Sequence, residues 1–218
     1  MISVDILQLW SIGTCLALLA GLNPLLALVA LELAVSNGRL TPRDELAWAT
    51  GPYMLGLWSA LLMVQVVADL YFVPATVRDR AYLDPPRVVN AYLHARLQSF
   101  FRPLIAAIVL AALPLPLPVQ SAAVLGFVAG TAIYWATAWA REHVAMSRGS
   151  MLLLLVEVIK NGAGVAAAVL LGWAPSLALA LLLGTVTPIG VWTARLRRER
   201  ILYPPYGGHL APEDSSVV

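Results

Sequence analysis

Long apolar stretches separated by short polar segments form the main pattern of this sequence. A helix that crosses a bilayer needs about 20 predominantly apolar residues. The pattern therefore predicts an all-α fold, a polytopic transmembrane helical bundle with about six spans. The predicted spans cover residues 6–35, 47–73, 103–118, 119–140, 151–173 and 176–194. The third stretch is short for a span, and the first is long enough to contain a break.

The first stretch is interrupted near its middle by Gly21, Asn23 and Pro24. Proline lacks the N–H of a helix hydrogen bond, so we predict a first helix that is either kinked at the proline or broken. A broken or re-entrant helix whose second half begins at Asn23 would direct backbone N–H groups and the positive end of its dipole at an anion. Asn23 is therefore a candidate substrate-binding residue.

Composition excludes a water-soluble globule. Apolar residues make up 60% of the 218 positions and charged residues only 12%, with a mean hydropathy of +0.80. A soluble domain carries about twice that charged fraction. The formal net charge of +2 is too balanced for a nucleic-acid partner. The single Cys15 excludes an internal disulfide framework, and with only three His the sequence predicts neither a metal site nor a cofactor.

The arginines outside the predicted spans are distributed unevenly, and this asymmetry predicts the orientation. If both chain ends are cytoplasmic, eleven of these arginines lie on the cytoplasmic side and two, Arg39 and Arg43, on the other. Cytoplasmic loops carry the excess of basic residues in membrane proteins, so we expect a multi-pass protein of the cell inner (plasma) membrane with a cytoplasmic C-terminus. If the first stretch forms two short helices, the N-terminus moves to the outside and the later spans keep their orientation.

The predicted spans pair into three helical hairpins, and two segments lie outside the bilayer core. Residues 87–101 place polar and apolar side chains on different helical faces, which predicts an amphipathic helix in the cytoplasmic interface. Residues 203–218 predict an extended or disordered cytoplasmic tail. A single transmembrane helical domain thus covers residues 1–202. Whether the hairpins are true internal repeats stays open.

Span five carries the clearest polar group inside an apolar stretch. Glu157 lies about 9 Å and Lys160 about 14 Å inside the cytoplasmic edge, near the midplane of a ~30 Å core. A lysine at that depth costs about 3 kcal/mol on the insertion scale, so we expect Glu157 to pair with it. Asn161 shares the helical face of Glu157. These candidate substrate-binding residues either line a polar cavity or belong to a neutralised ion pair between closely packed helices.

Other charged residues near the cytoplasmic side are weaker candidates. Asp69 follows Gln65 by four residues on one face of span two, and it either binds substrate or pairs with a neighbouring arginine in the interface. Arg96, Arg102 and Arg141 are candidates to attract an anionic headgroup or solute on the cytoplasmic side.

Several short sequence blocks resemble a known family. The blocks are Ala20–Leu26, Val67–Asp69 followed by Pro74, Phe101–Leu104, Thr137–Arg141 and Leu154–Val158. In this order they resemble the bacterial membrane family catalogued as domain of unknown function 4126, over roughly residues 15–185. The resemblance implies an all-helical inner-membrane protein with no assigned reaction, and it supports Asp69 and Glu157 as positions to test.

The chain also departs from the pattern of that family. Leu70 stands where the family tends to have Lys, and span four offers a Trp and an Arg where the family tends to have His and Lys. An Asn-[ST]-Pro-like turn of the family is replaced here by residues 147–150. If those polar positions carry the family's activity, this chain has lost or changed it.

Two functions agree with these observations, and a third agrees less well. The first is a small transporter, or a protein that translocates lipids or anions, with its site between the hairpins. The second is a non-catalytic structural or assembly subunit that contacts membrane lipids and packs on other membrane subunits or on a second copy of itself. A lipid enzyme using Glu142 or His143 is disfavoured because no nucleophile, base or metal set converges there, so we expect no enzymatic activity.

Overall fold

The fold is helical throughout the part of the chain that the structure describes. A computed structural model describes residues 6–72, 85–148 and 150–202, which contain seven α-helices, one 3₁₀ helix and no strand. The all-α prediction is confirmed. The predicted tail at residues 203–218 lies outside the described residues.

The seven helices α1 to α7 range from 13 to 30 residues in length. In chain order they are α1 (Ile6–Leu22), α2 (Pro24–Ser36), α3 (Pro52–Phe72), α4 (Pro85–Ala112), α5 (Val119–Arg148), α6 (Ser150–Leu171) and α7 (Pro175–Leu202). The 3₁₀ helix, Asp44–Ala49, lies between α2 and α3.

The first apolar stretch is broken into two helices at Asn23. This residue has extended backbone angles (φ −153°, ψ 110°), and its Oδ1 accepts a hydrogen bond of 3.2 Å from Leu26 N. Asparagine is among the preferred N-cap residues, and proline is favoured at the first helical position that follows it. The sequence Asn23-Pro24 therefore ends α1 and begins α2, and of the two alternatives the broken helix is present.

The two halves of the broken helix form a hairpin that enters the bundle and leaves it at the same end. A Cβ on Gly13 of α1 would lie 3.0 Å from Leu113 Cδ1, in the turn that joins α4 to α5. Beyond α2, Arg43 donates hydrogen bonds to carbonyl oxygens of that same turn. Arg39 Nε donates over 3.2 Å to the carbonyl oxygen of Gly172, in the turn between α6 and α7. We call this end of the bundle the turn end, and the opposite end, where α3, α5 and α7 finish, the basic end.

The tip of the α1–α2 hairpin lies deep among the other helices. A Cβ on Gly21 would lie only 2.6 Å from Ile133 Cβ and 3.3 Å from the carbonyl oxygen of Gly130, so α1 and α5 pack closely there. A Cβ on Gly164 of α6 would lie 2.7 Å from Leu26 Cδ2. At 1.5 Å per residue, Gly130 lies about 16 Å along α5 from its start at the turn end. The hairpin tip therefore lies about 16 Å from the turn end, a little more than a third of the length of α5.

The α1–α2 hairpin is also the centre of the fold. Helix α1 packs on α2, α4, α5, α6 and α7, and α2 packs on α3, α4 and α6. Most side chains of both hairpin helices are buried. Near the turn end Glu32 of α2 is also buried, and its carboxylate accepts hydrogen bonds from Ser36 Oγ and from Gly51 N. This carboxylate therefore joins the end of α2 to the start of α3.

Three helices extend beyond the apolar segments from which they were predicted. Helix α4 runs through Pro103 and joins the predicted interfacial helix 87–101 to the third apolar stretch, so these are one helix rather than two. Helix α5 continues to Arg148, which places Arg141 in a helix rather than a loop. Helix α7 ends at Leu202 rather than near residue 194. Hydropathy marks the surroundings of a helix, whereas its end depends on breakers such as the glycine at 149 or the proline at 204.

By length and composition, Val119–Ala138 is the one helical segment in the described residues that is long and apolar enough to cross a membrane. Four further apolar helical segments, at Ile6–Leu22, Pro24–Ser36, Pro52–Ala68 and Pro175–Pro188, are shorter. The prediction of six spans is therefore not confirmed.

Candidate functional site

Buried polar side chains gather around the tip of the α1–α2 hairpin. Five of them come from four parts of the fold and are each at least 94% buried: Asn23 at the tip, Gln65 of α3, Arg102 of α4, and Glu157 and Lys160 of α6. We call these five residues the tip layer. Burying a polar or charged group is unfavourable unless other groups compensate it, so the contacts of each member indicate what the layer is built for.

Arg102 connects α4 directly to the hairpin tip. Its side chain is fully buried, and its Nη1 donates a hydrogen bond of 3.2 Å to the carbonyl oxygen of Gly21. Its Nε donates to Gln98 Oε1 over 3.0 Å, and its guanidinium carbon lies 5.4 Å from the centre of the Tyr134 ring. Gly21 belongs to the last turn of α1, where the helix dipole is negative and favours a cation. The arginine thus stabilises the end of α1 while its charge stays inside the bundle.

Lys160 and Glu157 form a buried ion pair on α6. Lys160 Nζ donates to Glu157 Oε2, as the spacing of three residues predicted. One turn nearer the turn end, Gly164 packs against Leu26 and Leu19 of the hairpin. Lys160 lies four residues before Gly164, on the same helical face. The ion pair is therefore at about the depth of the hairpin tip, and its part in binding a substrate stays a prediction.

Gln65 lies on the face of α3 that is turned towards the hairpin. Trp58 and Leu62 pack against the hydrophobic core, and Gln65 continues their stripe at helical spacing. The hydrogen bond from Gly51 N to Glu32 places these two residues at the same height along the bundle, near the turn end. Measured from that height towards the basic end, Gln65 lies about 21 Å along α3 and Asn23 lies about 14 Å along α2. Gln65 thus lies roughly one turn beyond the N-terminus of α2, towards the basic end.

Buried polar atoms without a hydrogen-bond partner among the described residues occur in this region, and they include Gln65 Nε2, a donor, and Asn161 Oδ1, an acceptor. A buried polar atom without a partner costs about 1–3 kcal/mol, so such atoms are uncommon in folded proteins. Asn161 is only partly buried as a residue and lies on α6 next to Lys160.

The structure brings together some of the residues predicted from sequence but not all. Asn23, Glu157 and Lys160 lie in the tip layer, and Asn161 adjoins it. Arg102 joins them, although the sequence placed it at the cytoplasmic surface. Arg96 is exposed, nearer the basic end of α4. The backbone places Asp69 one turn beyond Gln65 and Arg141 one turn beyond Thr137, but the side chains of Asp69 and Arg141 lie outside the described residues.

The sequence did not identify Gln65 as a site residue, and it predicted Arg102 as an anion contact at the cytoplasmic surface rather than at the hairpin tip. Arg102 stands between a polar and an apolar segment, which is typical of an interfacial arginine, and nothing local reveals its contact with Gly21. Gln65 is a lone amide in an apolar stretch, and its spacing from Asp69 was the one signal available. Within the described residues, no group of three His, Cys, Asp or Glu side chains is placed to hold a metal ion.

Comparisons of the chain with protein families, with curated proteins and with solved structures give no match. The resemblance to the family of unknown function therefore stays a prediction.

Proposed function

We propose that this protein is a multi-pass membrane protein in which α3 to α7 cross the bilayer and the α1–α2 hairpin is re-entrant. The distribution of side chains supports this assignment. Charged residues such as Arg102 and Lys160 are buried, whereas large apolar side chains on the outside of α3, α5, α6 and α7 are exposed. Only 28% of the apolar window in α5 is buried, which is low for the core helix of a water-soluble protein. Exposed apolar surface of this extent is unfavourable in water and favourable in lipid.

In this arrangement the basic end is cytoplasmic, and both the N-terminus and the turn end face the opposite side. Arg195 and the neighbouring arginines of α7 then lie on the cytoplasmic side, as the positive-inside rule requires. The proposed location remains the cell inner membrane.

We further propose that the protein transports a small anionic solute or translocates an anionic lipid headgroup. The observation that carries this proposal is the tip layer, where the N-terminus of the short helix α2 lies beside buried Arg102 and Lys160 about 16 Å from the turn end, which is near the midplane of a ~30 Å hydrocarbon core. Transporters commonly build their substrate sites near the midplane from discontinuous helices whose N-termini point at anionic groups. The positive end of α2 and the two cations would attract the anion, and Glu157 would balance Lys160 when the site is empty.

Purified protein in proteoliposomes tests this function. The two probes are radiolabelled inorganic phosphate, taken up from outside, and fluorescent phosphatidylglycerol, whose transfer between leaflets is read by dithionite quenching. We expect the wild type to move at least one probe. We expect the variants Lys160→Met and Glu157→Gln to lose the activity, because each removes a charge from the site. Wild-type protein that folds and moves neither probe would falsify the transport proposal.

The alternative is a structural subunit, and the pairing of Lys160 with Glu157 favours it. Two opposite charges that neutralise each other inside a bundle need no ligand. Under both functions the double variant Lys160→Met/Glu157→Gln should regain the stability that either single variant loses. A structural subunit should in addition co-purify with a partner in stoichiometric amount, whereas a transporter should lose its transport activity in the stable double variant.

A further inference from the structure

Gln65 presents a buried hydrogen-bond donor for which the described residues supply no acceptor. The residue is 6% exposed, and its Nε2 has no hydrogen-bond partner among the described residues. A glutamine in an apolar helix face is readily replaced by leucine or methionine of similar volume, which would remove the cost of burying the amide. The amide therefore calls for an explanation other than packing.

The position of Gln65 relates it to the N-terminus of α2. It lies on the hairpin-facing stripe of α3, roughly one turn beyond Asn23 towards the basic end, which is the direction of the positive end of the α2 dipole. Helix α2 contacts α3, α4 and α6. Gln65, Lys160 and Arg102 therefore approach the same helix end from three different helices.

The hydrogen-bonding groups around this helix end are unequally satisfied. Asn23 Oδ1 accepts from Leu26 N, Gln98 Oε1 accepts from Arg102, and Glu157 Oε2 accepts from Lys160. These three acceptors have donors within the protein, whereas Gln65 Nε2 has no acceptor among the described residues. A bound group that supplies acceptor oxygens and carries negative charge would complete the arrangement. The free Asn161 Oδ1 requires a donor in addition, and a protonated phosphate or a phosphoglycerol headgroup carries a hydroxyl as well as bare oxygens.

We infer that Gln65 is a substrate-binding residue whose Nε2 donates to a phosphate-type oxyanion held at the N-terminus of α2. This inference rests on the proposed transport function and adds to it a residue and a ligand class. The shared chemistry is a phosphate group with a hydroxyl, and it is found both in free inorganic phosphate and in the headgroup of phosphatidylglycerol.

The test compares two substitutions at Gln65 with a matched substitution elsewhere. Gln65→Glu replaces the donor by a negative acceptor of the same shape, and Gln65→Met removes the polar group while keeping the volume. Gln120→Glu makes the same chemical change at an exposed position at the start of α5 and is the control. Each protein is assayed for phosphate uptake and for phosphatidylglycerol translocation, and its thermal unfolding in detergent is measured with and without phosphate.

We expect Gln65→Glu and Gln65→Met to lose apparent affinity for the transported probe by about tenfold or more, the range for a hydrogen bond to a charged group, while Gln120→Glu behaves as the wild type. We also expect Gln65→Met to unfold at the same or a higher temperature than the wild type and to lose the stabilisation by phosphate. Loss of uptake alone identifies free phosphate as the substrate, and loss of translocation alone identifies the lipid headgroup.

The outcomes separate this inference from the proposed function. If the wild type transports a probe and both Gln65 variants retain its affinity, the inference is wrong and the transport function stands. If Gln65→Met unfolds at a clearly lower temperature and keeps the wild-type affinity, the amide is structural and the inference is also wrong. If the wild type transports neither probe and phosphate leaves its unfolding temperature unchanged, both the transport function and the role of Gln65 in phosphate binding are wrong.

Discussion

Arg102 and Gly21 are 81 positions apart in the chain, yet the arginine Nη1 lies 3.2 Å from the glycine carbonyl oxygen, inside the bundle. The contact places a permanent positive charge at the C-terminal end of α1. It also makes the position of the hairpin tip depend on α4.

Replacing Arg102 should therefore weaken the fold at the hairpin tip. In Arg102→Met the buried carbonyl of Gly21 and the partly buried amide oxygen of Gln98 lose their donor, and a buried acceptor left unpaired costs about 1–3 kcal/mol. We expect a loss of about 2 kcal/mol or more in the free energy of unfolding, measured by thermal or denaturant unfolding in detergent. Arg195→Met, at an exposed position of α7, is the control and should change the stability by less than about 0.5 kcal/mol. Equal effects in both variants would contradict the role of Arg102.

The glycines of α5 and α6 should respond to alanine in opposite directions. A Cβ on Gly126 would overlap the backbone carbonyl of Ala106, whereas a Cβ on Gly162 meets nothing within 4 Å. We expect Gly126→Ala to destabilise the protein by about 1–3 kcal/mol, because α4 and α5 must move apart. Gly162→Ala should stabilise it by up to about 1 kcal/mol through the higher helix propensity of alanine. Unfolding temperatures of the two variants check this, and a destabilised Gly162→Ala would show that the exposed face of α6 is covered.

The re-entrant hairpin predicts that the N-terminus and the segment after α2 lie on the same side of the membrane. In a Cys15→Ala background, an N-terminal tag and a cysteine at exposed Thr41 should both be accessible from outside the cell. A cysteine at exposed Arg195 should react only after the membrane is opened. Labelling of intact and lysed cells with a membrane-impermeant maleimide, together with protease treatment of the tag, gives the measurement. If the tag and the cysteine of Thr41→Cys lie on opposite sides, the first stretch crosses the bilayer and the hairpin is wrong.

The two arginines after α2 differ in their number of contacts and should differ in importance. Arg43 donates to the carbonyl oxygens of Leu113, Leu115 and Leu117 over 2.7–2.8 Å, whereas Arg39 donates over 3.2 Å to one carbonyl, that of Gly172. We expect Arg43→Ala to lose about 2–4 kcal/mol of stability and Arg39→Ala about 1 kcal/mol. Unfolding of the two variants under the same conditions tests the difference. A larger effect at Arg39 would contradict it.

Much of the local structure was predictable because it depends on neighbouring residues. The sequence Asn23-Pro24 carries both the end of one helix and the cap of the next, and the spacing of Glu157 and Lys160 is sufficient to bring their charges together. The helical ends of α4, α5 and α7 were predicted less well, because hydropathy changes where a helix leaves its apolar surroundings and not where it stops.

The hairpin and the tip layer were beyond prediction because they depend on contacts between distant residues. Whether the second half of the first stretch continues across the bundle or returns depends on Gly13 meeting Leu113 and on Arg43 reaching the turn after α4. The same holds for Arg102, whose sequence neighbours are those of a surface arginine. Gln65 became a candidate only once α2 was seen to begin near it.

The hydrogen bonds of Arg39 and Arg43 have a consequence for how the molecule is assembled. Their acceptors are synthesised 70 to 133 residues after them, so the hairpin leaves the ribosome before the two turns to which these arginines bind. A nascent chain that stops before the turn at Gly172 has made the central element but lacks a final anchor for it. The central helices of this fold are thus made before the turns that anchor them, and their anchoring by Arg39 requires the chain to extend past Gly172.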